Sequence, residues 1–70
     1  MAYIVAITVQ YHTDYIADGK NYVVNGNSYV PLTCRIQEAK RYKTFALAQR
    51  ASLRKGENMF GTIEIKEVGE

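Results

Sequence analysis

Few residues in this chain are of a type that can do covalent or acid–base chemistry. Its 70 residues include one histidine, His12, and one cysteine, Cys34. Catalysis of that kind needs a nucleophile, a base within reach and a group that orients the base. His12 stands two residues from Asp14, which reads as a polar pair at a bend, with nothing nearby in sequence to complete a triad. Cys34 reads as a small buried hydrophobe; the adjacent Arg35 would lower the pKa of an exposed thiol, but no base accompanies it. Glu64 and Glu67 are three apart in a β-patterned stretch, so they face opposite ways and cannot act as a carboxylate pair. There is no phosphate-cradling glycine motif and no metal-ligand spacing, and a lone cysteine makes neither an internal disulfide nor a cluster. The expectation is a protein with no catalytic residue, no cofactor and no metal.

The remaining chemistry is charge. Seven of the nine basic residues (Arg35, Lys40, Arg41, Lys43, Arg50, Arg54 and Lys55) lie between residues 33 and 56, against one acid, Glu38. A solvated helix face normally mixes signs, so an uncompensated basic ridge with Tyr42 inside it suits phosphate or an acidic protein surface. Lys40, Arg41, Lys43, Arg50 and Arg54 are the candidate charged contacts.

The elements that must position them begin with Tyr3–Tyr11. Its odd positions (Tyr3, Val5, Ile7, Val9, Tyr11) alternate with period two, and Ile4 and Ala6 keep its first half apolar on both faces, as in a central strand. Alternation weakens over His12–Asp14 and resumes at Tyr15, so one strand from Tyr3 to Ile16 with a bulge in the middle is expected. Asp18-Gly19 and Asn25-Gly26 both match two-residue type I′ hairpin loops, giving further strands over Asn21–Val24 and Ser28–Leu32. Pro31 places the third strand at a sheet edge or ends it. In that register Tyr15 faces Tyr22 and Tyr22 faces Tyr29, a ladder of three tyrosines that would cap the core or serve as an aromatic platform for a partner.

From Thr33 to Lys55 there is neither glycine nor proline. A short helical turn is expected over Arg35–Arg41, then a helix capped by Thr44, running to Lys55 and closed by Gly56. Phe45, Leu47, Ala48 and Ala51 form its inward arc, with Arg50 and Arg54 on an outer ridge. Phe60–Val68 is the last strand. The reading is one α+β domain over residues 1–70, β-β-β-α-β, with a mostly antiparallel four-stranded sheet in the order 3-2-1-4. One helix covers one face, and a right-handed crossover sets the last strand parallel to the first.

The apolar start of the chain lacks a basic leader and a cleavage site and is too short for a membrane span, so a cytoplasmic protein without a membrane partner is expected. A chain of this size without staples is marginal, and an open sheet edge invites a homodimer or higher oligomer.

The segments Ala39-Lys40-Arg41-Tyr42-Lys43-Thr44, Ala48 with Ala51, Gly61-Thr62-Ile63-Glu64-Ile65 and Glu67-Val68 resemble a pattern of small bacteriophage-encoded accessory proteins. The resemblance covers the C-terminal half and implies a non-enzymatic phage protein that blocks a host factor such as an anti-phage defence system; it supplies no site residues. Its partner would be a host protein or protein–nucleic acid complex in the host cytoplasm. A nucleic-acid-binding module and a nucleotide-sequestering protein are the alternative classes for the same basic segment.

Overall fold

A computed structural model describes residues 1–54 and 56–69. The strands are β1 (Ala2–Val9), β2 (His12–Ile16), β3 (Tyr22–Val24), β4 (Asn27–Tyr29), β5 (Leu32–Thr33) and β6 (Thr62–Val68). A single turn of 3₁₀ helix spans Ile36–Glu38, and the helix α1 spans Phe45–Ser52. The fold is α+β: a four-stranded antiparallel sheet in the order β5-β2-β1-β6, with α1 on one face and β3-β4 as a separate hairpin.

β1 is central, as its two apolar faces require. Val5 and Ile7 point to the side of α1 and share a core with Ile16, Val30, Tyr42 and Ala48, against which Tyr3, Leu32 and Ile65 pack. On the opposite face Ile4 and Ala6 are each 1% exposed. By register Ile4 lies beside Lys66, and Ala6 lies between Tyr15 and Glu64. The stems of such long side chains can cover apolar neighbours while their charged ends stay in water.

Three expectations about the strands are corrected. The first is the single strand from Tyr3 to Ile16. It folds back at Gln10-Tyr11, pairing Val9 with His12 and Thr8 with Thr13. Gln10 takes φ 55 without a glycine to signal it. The Thr8 and Thr13 hydroxyls hydrogen-bond at 3.0 Å across the pair, and the fold-back delivers Ile16 to the core.

The second correction concerns Asp18-Gly19, which makes no two-residue hairpin. β2 pairs instead with β5, setting Tyr15 opposite Thr33 and Ile16 opposite Leu32. The expected register would have set Asn21 opposite Ile16 on the core face. Burying an amide side chain without partners costs more than burying leucine, so the chain loops further and uses Leu32. Pro31 sits just before this edge strand and only accepts, from the Ala17 N–H at 2.9 Å. Asn25-Gly26 does form the expected tight turn, with φ 51 and 82, and Tyr22 faces Tyr29.

The third is the direction of the last strand. β6 is antiparallel to β1, from Ala2 opposite Val68 to Thr8 opposite Thr62. A parallel crossover needs the helix to return the chain to the start of β1. The chain is already there when α1 begins, because Tyr42 is paired with Tyr3 and the Phe45 ring stands edge-on to Tyr3 at 6.0 Å. The chain therefore re-joins the sheet at the other end of β1, where Gly61 lies against Thr8. A Cβ on Gly61 would come within 2.5 Å of the Thr8 carbonyl oxygen, and its φ is 100.

α1 is shorter than expected. Thr44 caps it by accepting the Leu47 N–H at 3.2 Å, but the helix ends at Ser52 with Leu53 as its C-cap. Gly56 is therefore not the closing glycine, and Lys55 lies outside the described residues. The helical turn expected over Arg35–Arg41 is only the 3₁₀ turn at Ile36–Glu38; the chain after it is extended. Of the inward arc, Ala48 is fully buried and Ala51 half-buried, whereas Phe45 and Leu47 are exposed. No described helix is long and apolar enough to cross a membrane.

Candidate functional site

The basic residues are brought together by an extended segment the sequence did not reveal. Ala39–Tyr42 prolongs the sheet beyond β2. Lys40 N–H donates to the Ile16 carbonyl at 2.8 Å, and Tyr3 and Tyr42 exchange both backbone hydrogen bonds at 2.9 and 2.8 Å. Alternation then sends Lys40 and Tyr42 to the same side. Tyr42 enters the core, and the Lys40 ammonium lies 5.4 Å from the centroid of its ring, within cation–π range. Across from this segment stand Leu47, Arg50, Ala51 and Arg54, spaced i, i+3, i+4, i+7 so as to share one side of α1 and its trailing turn.

Between the two runs lies a cleft of about 420 Å³, lined by Lys40–Lys43 on one side and by Leu47, Arg50, Ala51 and Arg54 on the other. Among the described residues its lining contains five basic residues and no acid. These five are the charged contacts expected from the sequence, arranged around a concavity and not along an outer ridge. Leu47 and Ala51 give it an apolar patch.

The five are not equivalent. Lys43 and Arg50 are exposed. The guanidinium of Arg41 is turned toward the end of β6 and donates to the Gly69 carbonyl at 2.7 Å. Arg54 is half-buried, and its Nη1 is enclosed without a hydrogen-bond acceptor among the described residues. A buried guanidinium nitrogen lacking an acceptor is a costly arrangement that an incoming anion would relieve. Arg54 also lines a second concavity, of about 490 Å³, with Gly26, Ser28, Glu57 and Met59, so it forms the wall between the two. Burial pushes the Tyr42 phenol above its ordinary pKa; Arg54 pulls it down and Asp18 adds to the rise.

Of the three tyrosines, two meet. Tyr22 and Tyr29 stack with centroids 5.6 Å apart and planes at 21°. Tyr15 is not in the ladder; it is half-buried in the main sheet opposite Thr33. Tyr22, Val23 and Val24 are 49, 69 and 47% exposed, so the β3-β4 hairpin presents an apolar surface of its own. The hairpin is tied down by Asn58, which sequence reading missed: its Oδ1 accepts the Val30 N–H at 3.0 Å and its Nδ2 donates to the Val30 carbonyl at 2.7 Å. An asparagine in a loop carries no signal for such a distant backbone partner.

The residues weighed for catalysis lie elsewhere. His12 Nε2 meets Asp14 Oδ1 at 2.9 Å beside the β1–β2 turn, where His12 is exposed. Cys34 is exposed after β5, which corrects the expectation of a buried thiol: the chain leaves the sheet there and begins the 3₁₀ turn over solvent.

No protein-family model matches the chain, and neither a curated protein nor a solved structure shows significant similarity to it.

Proposed function

We propose that this chain is a non-enzymatic interaction protein that seats an anionic group of a macromolecular partner in the basic cleft. The observation that carries this reading is the convergence of Lys40, Arg41, Lys43, Arg50 and Arg54 around one concavity whose lining, among the described residues, includes no carboxylate. Arrays of one sign steer and hold partners of the other. The exposed hairpin at Tyr22, Val23 and Val24 supports a protein as the partner. Tyrosine with aliphatic neighbours is the composition of a protein contact, whereas single-stranded nucleic acid is held on free aromatic faces. One face of the Tyr22 ring is already taken by Tyr29. The resemblance to phage accessory proteins extends the reading to a host defence factor as the target, and that identity rests on the resemblance alone.

The test uses Lys43→Glu with Arg50→Glu, because both side chains are exposed. Arg54 is unsuitable for reversal, since it is half-buried and a carboxylate there would be partly desolvated. Fluorescence anisotropy with an acidic peptide, a duplex DNA and ATP as probes separates the classes. The acidic peptide should bind and should weaken at least tenfold in the double reversal, with a shallow salt dependence. Tighter binding to duplex, falling with a log–log salt slope of about −0.9 per phosphate neutralised, would replace the protein partner with nucleic acid. Preferential ATP binding would favour the sequestering class. Unchanged affinity of the double reversal for every probe would make the cleft a solvated face and refute the reading.

A further inference from the structure

The two edges of the main sheet are unlike. β5 is two residues long and is preceded by Pro31, which blunts it. β6 is a seven-residue strand without bulge or proline, paired among the described residues with β1 on one side only. An open edge of that length is a template for another strand.

We propose that β6 pairs with β6 of a second copy, antiparallel about a two-fold axis through Ile65, joining the two four-stranded sheets into one. The argument is register. In an antiparallel pair of identical strands, the alternation of backbone groups lets only residues of like parity face each other, so the axis must pass through a residue. Centring on Glu64 sets Glu64 against itself, and centring on Lys66 sets two lysines face to face. Centring on Glu67 repeats the fault, and centring on Ile63 offers Glu64 only Thr62. Centring on Ile65 pairs all of Thr62–Val68, sets Glu64 opposite Lys66 twice, and brings the two Ile65 side chains together. Opposite charges in direct cross-strand pairs stabilise a sheet and like charges destabilise it.

The surroundings agree with this pairing. Glu64 and Lys66 lie on the face away from α1, where Lys66 Nζ is already 3.9 Å from Glu64 Oε1 of its own strand. A second copy turns this loose pair into an alternating square of four charges. A lysine on an edge strand ordinarily discourages pairing, but here its counter-charge sits at the position a second copy presents to it. Ile63 is 38% exposed and Ile65 half-buried, so the contact also covers apolar surface. A two-fold of this kind closes on itself, and the blunted β5 edge leaves nothing to extend a fibre. Both α1 helices fall on one face of the joined sheet.

Sedimentation equilibrium at micromolar concentration on the full chain tests this, with circular dichroism to verify folding. The wild type should sediment at twice its 7.9 kDa chain mass. Glu64→Lys alone and Lys66→Glu alone should each weaken association at least tenfold, since each sets like charges opposite one another twice. The double swap, Glu64→Lys with Lys66→Glu, should restore it. A wild type that is monomeric throughout overturns the proposal. So does a dimer indifferent to the single changes, or one that the double swap fails to rescue.

Discussion

Replacing Asn58 by alanine tests how the hairpin carrying Tyr22 and Tyr29 is held to the rest of the molecule. The Asn58 amide satisfies both backbone groups of Val30, a residue with no exposed surface, at 3.0 and 2.7 Å. Asn58→Ala strands a buried N–H and a buried C=O together. At about 1–3 kcal/mol for each group, with some relief from entering water, the loss should be about 3 kcal/mol. A chain of this length has roughly 4–10 kcal/mol in total, and for a domain of this size each kcal/mol moves Tm by about 4–8 °C. The variant should therefore melt at least 10 °C or so below wild type. Asn58→Asp refines the test. Its ionised carboxylate can accept from Val30 N–H but faces the Val30 carbonyl without a proton to donate, which raises its folded-state pKa. Stability from the protonated form is then fully present below the unfolded value of about 3.9 and is lost as pH rises through the folded value. The gap between this variant and wild type should be narrower near pH 4 than near pH 7. Thermal melts followed by circular dichroism at the two pH values give all four comparisons. An alanine variant within a few degrees of wild type, or an aspartate gap that ignores pH, would refute the view that this amide clamps the hairpin.

Gly61→Ala should cost clearly more than Gly26→Ala, because the first combines φ 100 with a Cβ 2.5 Å from the Thr8 carbonyl oxygen and the second has φ 82 in open space. The backbone term alone is about 1–2 kcal/mol; Gly69→Ala, with open space and ordinary φ, should cost almost nothing, and any other ranking in thermal melts contradicts the close approach. The Tyr42 phenol should give a late step, above the ordinary phenol range, in a tyrosinate absorbance titration, and Tyr42→Phe should remove it. Because its folded pKa lies above the unfolded value, the stabilisation it brings is complete below about pH 10 and is lost as pH rises through the folded value. Arg54→Met should delay its ionisation further by removing the cation that favours the phenolate.

What was legible in the sequence was local. Asn25-Gly26 announces a turn because its backbone needs φ > 0 at both centres, and the pairing of Tyr22 with Tyr29 follows from that turn. Thr44 announces a helix start because its hydroxyl can accept an amide from the first turn. The fold-back at Gln10-Tyr11 has no such mark: a glutamine in the left-handed region is selected by what the strands bury, not by its own preference. Choosing Leu32 over Asn21 as the neighbour of Ile16 likewise depends on which side faces the core. The basic residues were found as a composition, but their enclosure of a cleft depends on Tyr42 pairing with Tyr3, a contact between distant parts of the chain. Neither residue type nor spacing encodes that meeting.

The pairing of β1 with β6 also sets an order of events. β1 is made before β6 by roughly fifty residues, and loop closure over that distance is the slow kind of contact. Until β6 arrives, β1 is paired on one side only, by β2 and by Tyr42, and Val5 and Ile7 wait for the helix and the last strand to cover them. The β1–β2 hairpin, closed by its tight turn, is the natural first structure, and β6 is the last step that seals the sheet. A growing chain stopped before Thr62 would therefore expose the bare side of its central strand, the state in which such a sequence is most prone to stick to whatever strand comes near.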